Sequence, residues 1–421
     1  MINPVILQNQ LLLNKEISEK MKCVILAAGE GKRMHPLTFT RPKVMLPIAN
    51  KPILEWNLLN AIDAGLTEFV FVVGYKSEMV RSYFGDGKNW DVSIEYVNQG
   101  KALGTAHAIG MVEKFVDNFI VLCGDTIFET QDIKQVIEKE ISMGLVQVEY
   151  PEEYGIVEMD EEKVVKIYEK MKDPFSNIIN AGIYHFNQSI FDIIKKTEKS
   201  PRGEYEITSS INMLADDVEM SGITLKEWRD VVYPWHLLDA NEELLKEFEG
   251  KVEGTVEENV ILKGPVFIGK GTKVMSGSYI EGPVVIGTDC KIGPNCYIRP
   301  CTSIGDECHV GNACEIKNSI IMNHSNVPHQ NYVGDSVIGE DCNLGSGTKI
   351  ANLKLDKKSI TIHLNGNRIN TGRRKLGVIM GDNVQTGINA MFNVGSMVGN
   401  NVFVGPGAVV TGKIKPYAKL W

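Results

Sequence analysis

The segment between residues 26 and 47 carries glycines and cations at a spacing that suits phosphate binding. Residues 24–26 have the apolar character of a buried strand, and Gly29 and Gly31 follow directly. Because glycine has no Cβ, consecutive backbone N–H groups in such a loop can turn toward phosphate oxygens. Arg33 and Lys43 then place positive charge where a triphosphate would lie.

A dinucleotide-binding loop is the main alternative for this segment. That loop requires a third glycine where Met34 stands, and an acidic residue at the end of the next strand, which this chain lacks. The pattern therefore favours a nucleoside triphosphate as the ligand.

The same segment resembles the signature of the sugar-1-phosphate nucleotidyltransferases. The matching positions are Leu26, Ala27, Ala28, Gly29, Gly31, Arg33, Met34, Pro42, Lys43, Leu46 and Pro47. Lys32 replaces the usual threonine. The resemblance implies that Leu26, Ala27, Ala28, Gly29 and Gly31 bind the nucleotide. It also implies that Arg33 covers the leaving phosphates and that Lys43 bridges the nucleotide and the sugar phosphate.

The elements around this loop predict an α/β, Rossmann-like domain. Candidate strands at 23–27, 69–73, 119–123 and 145–150 alternate with helical patterns at 53–64 and 105–115. Such alternation indicates a mainly parallel sheet covered on both faces, with ligands bound beyond the carboxyl ends of the strands.

Carboxylates in two motifs are candidates for binding Mg²⁺. Asp125 follows the strand at 119–123, and Asp239 lies in the segment 234–239. Magnesium commonly uses one or two carboxylates with phosphate oxygens and water. The family resemblance implies a metal role for both positions.

Other segments resemble substrate contacts of the same family. Gln99, Gly104 and Thr105 resemble the part that reads a pyrimidine base, which implies UTP as a substrate. Gly155, Glu169, Lys170 and Asn180 resemble contacts to the sugar and its phosphate. The segment 204–208 resembles a structural support. Met171 departs from the family pattern, which has proline after Glu-Lys.

After about residue 250, pairs of an apolar residue and glycine recur mostly at multiples of six residues, as at Ile286-Gly287 and Ile292-Gly293. This period predicts an all-β parallel β-helix with three short strands per coil. Resemblance to hexapeptide-repeat proteins implies the left-handed form. Five cysteines lie four residues after a repeat's apolar position, where a small inward-facing side chain is expected: Cys290, Cys296, Cys308, Cys314 and Cys342. The period is broken between Gly311 and Gly339 and at 351–377.

The β-helix region contains a further motif, His329, Tyr332 and then Gly-Asp. With it the chain resembles the bifunctional N-acetylglucosamine-1-phosphate uridyltransferase and glucosamine-1-phosphate acetyltransferase family. At the family's spacing stand Arg299, Lys317, Tyr332, Asn343, Asn352 and Lys358, which the resemblance assigns to the amino-sugar phosphate. It implies that His329 is the general base for acetyl transfer from acetyl-CoA, since histidine titrates near neutrality.

Departures from the bacterial pattern lie on the coenzyme side. Leu353 replaces an aromatic residue, Ile388 replaces an expected serine, and the insertion at 354–377 is longer. These changes resemble an archaeal branch in which galactosamine-1-phosphate is also an acceptor.

The sequence therefore predicts acetylation of a hexosamine-1-phosphate followed by uridylyl transfer to give a UDP-N-acetylhexosamine. One alternative is a nucleotidyltransferase whose β-helix only assembles or regulates it. Another is a catalytically silent regulatory homologue. The expected assembly is a homotrimer or a multiple of trimers.

Length and charge limit the partners. The 421 residues are enough for two domains, and a net charge of −9 argues against nucleic acid or an anionic membrane. We expect small-molecule substrates, no membrane span, and a cytoplasmic location, since the eight cysteines form no Cys-x-x-Cys pair. The expected domains are an extension at 1–20 without a signal-peptide pattern, a nucleotidyltransferase at 21–238, a linker helix at 239–250 and the β-helix at 251–421.

Overall fold

The computed structural model describes residues 21–364 and 366–421. The expected N-terminal extension at 1–20 lies outside the described residues. Contacts group the chain into two compact units. Among the described residues, the first contains 21–30, Pro42–Met45 and Ile53–Asp230, and the second contains Gly31–Arg41, Leu46–Pro52 and Val231–Trp421.

The first unit is built on a nine-stranded sheet covered by helices. The helices of the described chain are α1 (Ile53–Asp63), α2 (Ser77–Phe84), α3 (Thr105–Gly110), α4 (Thr130–Ile137), α5 (Ser189–Ile194), α6 (Ile207–Asp217) and, in the second unit, α7 (His236–Lys246). The strands before the β-helix are β1 (Lys22–Ala27), β2 (Pro47–Ile48), β3 (Lys51–Pro52), β4 (Glu68–Val73), β5 (Ser93–Asn98), β6 (Phe119–Cys123), β7 (Thr126–Phe128), β8 (Ser142–Gln147), β9 (Gly155–Asp160), β10 (Lys163–Glu169), β11 (Ile178–Phe186), β12 (Ser221–Thr224) and β13 (Trp228–Asp230).

The sheet order is β5-β4-β1-β6-β11-β8-β12-β10-β9. Strands β5, β4, β1 and β6 are parallel, as the alternating pattern predicts, whereas β11 runs antiparallel to both β6 and β8. The sheet is therefore mainly parallel, as expected: of its nine strands, β8, β12 and β9 also run in the direction of β1, and only β11 and β10 run against it. The expected helix at 105–115 ends at Gly110, a residue with low helix propensity.

Continuous apolar strands explain why the parallel half is buried on both faces. Strand β4 has one exposed residue, at its start, and its remaining residues are buried. The even-numbered valines Val70 and Val72 join one core cluster, and Phe69, Phe71 and Val73 join another. Because β1 and β6 are parallel, their carboxyl ends lie at the same edge of the sheet.

The second unit contains a parallel β-helix with three faces. Face one consists of β14 (Lys251–Val252), β17 (Val266–Ile268), β20 (Val284–Ile286), β23 (Thr302–Ile304), β26 (Ile320–Ile321), β29 (Val337–Ile338), β33 (Val378–Met380), β36 (Ser396–Val398) and β39 (Lys413–Ile414). Face two consists of β15 (Thr255–Val256), β18 (Lys273–Val274), β21 (Lys291–Ile292), β24 (His309–Asn312), β27 (Asn326–His329), β34 (Gln385–Thr386), β37 (Phe403–Val404) and β40 (Lys419–Leu420). Face three consists of β16 (Ile261–Lys263), β19 (Tyr279–Glu281), β22 (Tyr297–Ile298), β25 (Glu315–Lys317), β28 (Tyr332–Gly334), β30 (Lys349–Ile350), β35 (Met391–Phe392) and β38 (Val409–Val410).

One apolar cluster fills the interior of the β-helix and includes all five cysteines of the repeat pattern. Their expected inward orientation is therefore confirmed. All eight cysteines of the chain are free. The repeat break near 351–377 contains a hairpin of β31 (Thr361–Leu364) and β32 (Asn367–Asn370), as expected for a segment extruded from a solenoid.

Polar contacts fix α7 and the short segments of the second unit against face one. The Asn241 amide donates to the Cys301 carbonyl at 3.0 Å and accepts from the Ser303 hydroxyl at 2.6 Å. The Arg41 guanidinium is buried and contacts the carboxylates of Glu340 at 2.7 Å and Asp382 at 2.5 Å. Among the described residues, no helix has the length and apolarity needed to cross a bilayer.

Candidate active sites

Two glycines, Gly74 and Gly124, contact the end of β1 and the start of the loop that follows it. The Gly124 N–H donates to the Leu26 carbonyl at 3.0 Å, and a Cβ on Gly74 would lie 2.8 Å from the Ala28 carbonyl oxygen. In contrast, a Cβ on Gly29 would meet open space. The loop backbone is therefore fixed on one side and accessible on the other, as close approach of a ligand requires.

The cations expected near this loop have different surroundings. The Lys43 ammonium lies 2.7 Å from an Asp125 carboxylate oxygen, and the lysine side chain is largely buried. Arg33 lies on a 3₁₀ turn, Lys32–Met34, and is exposed. Gly31 precedes that turn in a left-handed conformation, with φ of 70°. The pairing places Lys43 directly beside an expected metal ligand.

A second carboxylate accompanies Asp125, but it is not the one expected. Strand β13 pairs antiparallel with β7, and Asp230 faces Thr126, the residue after Asp125. Burial raises the pKa of the Cys123 thiol, and the carboxylates of Asp125 and Asp230 raise it further. Both carboxylates thus lie close to the same thiol at the end of β6.

Asp239 has a different environment. It lies in the first turn of α7, and its carboxylate forms an ion pair with Arg373. Burial raises the pKa of Asp239, and the Arg373 guanidinium opposes that rise. A carboxylate held by an arginine has a structural explanation that needs no metal.

The sequence signal for Asp230 was available but weak. The residue ends a short segment, where it follows an aromatic residue, Trp228, and a cationic residue, Arg229. A three-residue strand gives little periodicity, so its pairing with β7 emerges only from the fold. Within residues 21–364 and 366–421, no group of three or more His, Cys, Asp or Glu side chains is placed to hold a metal.

The expected base-reading residues form one connected turn. The Gln99 amide donates to the Gly104 carbonyl at 3.1 Å, and the Thr105 hydroxyl accepts from the Ile207 N–H at 3.0 Å. Gly104 has φ of 115°, and a Cβ there would lie 2.3 Å from the Tyr205 carbonyl oxygen. The segment at 204–208, expected as support, therefore contacts this turn directly.

Two of the four expected sugar contacts border a cavity of about 800 Å³ in the first unit. Glu169 and Lys170 line it, and Lys170 adopts a left-handed conformation with φ of 50°. A Cβ on Gly155 would lie 3.3 Å from a Glu169 carboxylate oxygen, so this glycine leaves room beside that side chain. The Asn180 amide donates to the Tyr184 hydroxyl at 2.7 Å.

Arg202 also lines this cavity and was not among the expected residues. Its guanidinium contacts the carboxylates of Glu206 at 2.7 Å and Glu169 at 3.3 Å. Lys196 and Lys199 add further positive charge to the lining. A cluster of cations beside a sugar contact suits a phosphorylated sugar. The sequence places Arg202 in a polar loop, where nothing separates it from a solvated surface arginine.

On the β-helix, three of the expected amino-sugar residues meet around one carboxylate. Asp335 accepts from the Lys317 ammonium at 3.0 Å and from the Asn352 amide at 2.5 Å. The same Asn352 amide donates to the Tyr332 hydroxyl at 3.2 Å. Lys317, Asn352 and Tyr332 therefore form one hydrogen-bonded cluster on face three.

Arg299 adjoins this cluster. Its guanidinium contacts the Glu315 carboxylate at 2.8 Å. Burial raises the pKa of the Tyr332 phenol; Glu315 and Asp335 act in the same direction, while Asn352 and Arg299 lower it. The tyrosine therefore stays a neutral hydrogen-bonding group at physiological pH.

The remaining expected residues lie on other parts of the β-helix. His329 is exposed at the end of β27 on face two, and Asn343 bridges Asn326 and Gln385 on that same face. Lys358 is exposed on the insertion before β31. Leu353 and Ile388, where the coenzyme pattern departs, are also exposed. The arrangement leaves His329 accessible beside the face that carries the amino-sugar cluster.

Known proteins are similar to both the N-terminal and the C-terminal part of this chain. A family model described as nucleotidyl transferase matches residues 22–247, and the model of the GMPPB C-terminal domain matches residues 280–414. A solved structure titled a putative glucose-1-phosphate thymidylyltransferase from Bacillus anthracis, in complex with sucrose, is 31% identical. It superposes with a TM-score of 0.51, covering 55% of this chain and 97% of that chain.

Relatives similar over nearly the whole chain carry bifunctional names. The "Bifunctional protein GlmU" of Methanocaldococcus jannaschii is 41% identical, covering 93% of this chain and 95% of the relative. The "Bifunctional sugar-1-phosphate nucleotidylyltransferase/acetyltransferase" of Sulfurisphaera tokodaii is 40% identical, covering 93% and 97%. This chain therefore belongs to the nucleotidyl transferase family and, within it, to the bifunctional sugar-1-phosphate nucleotidylyltransferase/acetyltransferases.

Proposed function

We propose that this protein acetylates the 2-amino group of a hexosamine-1-phosphate and then transfers a uridylyl group from UTP to the product. The near full-length similarity to bifunctional relatives carries this proposal. The cluster of Lys317, Tyr332 and Asn352 supports the first step, and the pairing of Lys43 with Asp125 supports the second. Glucosamine-1-phosphate is the expected acceptor, and galactosamine-1-phosphate is a second candidate.

Acetyl transfer needs a base and an oriented amine. The amine nitrogen attacks the acetyl-CoA thioester carbon, a C–N bond forms, the C–S bond breaks, and the thiol leaves. His329 takes the proton released from nitrogen and passes it to the departing sulfur, a role that exposure on face two permits. Arg299, Lys317 and Lys358 supply positive charge for the sugar phosphate, while Tyr332, Asn343 and Asn352 supply directional hydrogen bonds.

Nucleotidyl transfer depends on alignment and charge neutralisation. An oxygen of the sugar-1-phosphate attacks the α-phosphorus of UTP, a P–O bond forms, and pyrophosphate leaves with the electrons of the broken P–O bond. Lys43 and Arg33 neutralise phosphate charge, and the loop from Leu26 to Gly31 supplies N–H donors. Glu169, Lys170 and Arg202 orient the sugar phosphate at their cavity.

We assign the Mg²⁺ ligands to Asp125 and Asp230 in place of Asp239. Hard carboxylate oxygens suit this ion, and a pair of them, completed by substrate phosphates and water, is a common donor set. Bound there, Mg²⁺ would neutralise charge on the phosphates. The pairing of β13 with β7 supports this choice, because it places Asp230 opposite Thr126, the residue that follows Asp125.

The direct test follows free thiol and pyrophosphate separately when purified protein receives acetyl-CoA, UTP, Mg²⁺ and glucosamine-1-phosphate. Thiol release that requires the amino sugar, followed by pyrophosphate release, is expected. Pyrophosphate release from N-acetylglucosamine-1-phosphate without any thiol release, with galactosamine-1-phosphate also inactive, would reduce the β-helix to an assembly or regulatory module. Loss of both products would indicate a silent homologue.

Two substitutions should separate the sites. His329→Ala should slow thiol release by about 10²–10⁴-fold, because it removes only the base, and should leave pyrophosphate release from N-acetylglucosamine-1-phosphate unchanged. Asp230→Asn should lower Mg²⁺-dependent pyrophosphate release by about 100-fold or more, since it removes a proposed ligand. Asp239→Asn is the matched control and should retain pyrophosphate release. The reverse result for the two aspartates would return the metal role to Asp239.

We also propose a cytoplasmic location and a trimeric assembly. Eight free cysteines suit a reducing compartment, where UTP and acetyl-CoA are also available. Exposed apolar side chains on the β-helix, including Ile388, Phe403 and Val409, suit association between copies.

A further inference from the structure

Asp335 lies at a corner of the β-helix. The backbone conformation there explains why the residue is an aspartate, but it does not explain why the side chain is buried. Its φ of 51° is left-handed, a conformation that favours glycine, asparagine and aspartate. Asp289 occupies another corner with φ of 52° and is exposed. Asp335, in contrast, is 1% exposed. The corner geometry therefore leaves the burial of this carboxylate to be explained.

The surroundings of Asp335 neutralise and bind its charge. The carboxylate accepts from the Lys317 ammonium at 3.0 Å, the Asn318 amide at 2.9 Å and the Asn352 amide at 2.5 Å. A buried carboxylate is costly unless a cation and hydrogen bonds compensate it, and here both are present. Each donor is in turn restrained by the carboxylate.

The carboxylate is also braced from α7. The Asn318 amide donates to the Glu242 carboxylate at 2.8 Å, and Glu242 lies 2.6 Å from the Arg373 guanidinium. Arg373 completes the chain of contacts with Asp239. Through Asn318, Asp335 therefore connects helix α7 to the side chains of face three.

We propose that Asp335 is a positioning residue that fixes Lys317 and Asn352 for the phosphate of the amino-sugar acceptor. Lysine has a long flexible side chain, and holding its ammonium in advance reduces what is lost when the phosphate binds. Through Asn352, the same carboxylate orients Tyr332. This inference rests on the proposed acetyl transfer and adds that Asp335 determines selectivity for a phosphorylated acceptor.

The test compares Asp335→Asn with Asp289→Asn, an equivalent change at an exposed corner. Thiol release is measured with glucosamine-1-phosphate and with glucosamine. For Asp335→Asn we expect the KM for glucosamine-1-phosphate to rise about 10–100-fold, as for other residues that orient a ligand-binding group. The preference for the phosphorylated acceptor should fall by a similar factor, with the KM for acetyl-CoA and the pyrophosphate release from N-acetylglucosamine-1-phosphate unchanged. Asp289→Asn should match the wild type.

Other outcomes contradict the inference. An unchanged or lower KM for glucosamine-1-phosphate in Asp335→Asn would overturn it, as would an equal loss with both acceptors, which indicates a structural role alone. Should Asp335→Asn fail to fold, Asn318→Ala removes one donor and must give a smaller rise confined to the phosphorylated acceptor. No thiol release from the wild type would instead refute the proposed acetyl transfer.

Discussion

Arg202 illustrates how a single side chain organises the sugar cavity. It contacts Glu206, which is largely buried, and Glu169, which is more exposed. Burial alone would raise the pKa of Glu206, but the hydrogen bond and charge of Arg202 outweigh it and leave that pKa lowered. The pair therefore stabilises the folded protein only while Glu206 is ionised.

Glu206→Gln should reveal this dependence on pH. A lowered folded-state pKa means that the stabilisation is present above the unfolded value, 4.5, and is lost as pH falls through the folded-state value. At pH 7 the substitution should cost about 1.5 kcal/mol. Urea denaturation across pH should show the difference between wild type and variant shrinking below about pH 4.5. A difference independent of pH would contradict the ion pair.

Sequence names single candidate residues where a motif specifies them, and it does not name them where only a contact does. Lys43 and Asp125 stand in recognisable motifs, and the Lys43 ammonium lies 2.7 Å from an Asp125 carboxylate oxygen. Asp230 and Arg202 stand in short polar segments without periodicity. Their roles depend on which distant strand or carboxylate they meet, and local sequence does not encode that.

At the scale of elements, the segment that ends at Arg41 is anchored by ion pairs. Arg41 is 4% exposed and contacts both Glu340 and Asp382, and the Thr40 hydroxyl donates to the same Asp382 carboxylate at 2.5 Å. Residues far apart in sequence are thus joined within the second unit.

Arg41→Met should strongly destabilise that unit. Removing the cation leaves two carboxylates without their charge partner, a change that typically costs about 3–5 kcal/mol. Lys88→Met is the matched control, because Lys88 pairs with Asp86 on the surface and should contribute little. Urea denaturation measures both. Equal effects of the two substitutions would contradict the anchoring role of Arg41.

Sequence periodicity predicted where the strands lie, but it did not predict how they pair. The strands near 23–27, 69–73 and 119–123 appear in the structure within one residue of their expected bounds. The six-residue period likewise predicted the β-helix. The antiparallel placement of β11 was not foreseen, since strand direction depends on the route of the connecting chain.

At the scale of the whole molecule, the residues proposed for acetyl transfer lie on two faces of the β-helix. This gives the proposed trimer a role in completing the acetyl-transfer site. Lys317 and Tyr332 lie on face three, whereas His329 and Asn343 lie on face two. A neighbouring copy packed at this edge could complete the acetyl-CoA site.

Light scattering should accordingly give three times the chain mass of 46.7 kDa, or a multiple of that. Dilution below the dissociation range should reduce thiol release and spare pyrophosphate release from N-acetylglucosamine-1-phosphate, because the residues proposed for uridylyl transfer belong to one chain. A monomer that retains full thiol release would contradict the assembly proposal.

The sequence by itself determined the two domain types and named candidate residues for the phosphate loop and the amino-sugar site, because these depend on short motifs and on a repeat that each coil must obey. Only the tertiary structure decided that Asp230 accompanies Asp125, that Asp239 pairs with Arg373, and that Asp335 is buried. These outcomes depend on contacts between residues separated by tens or hundreds of positions. The free energy of burying a charge depends on the partners it meets, and folding alone brings those partners together.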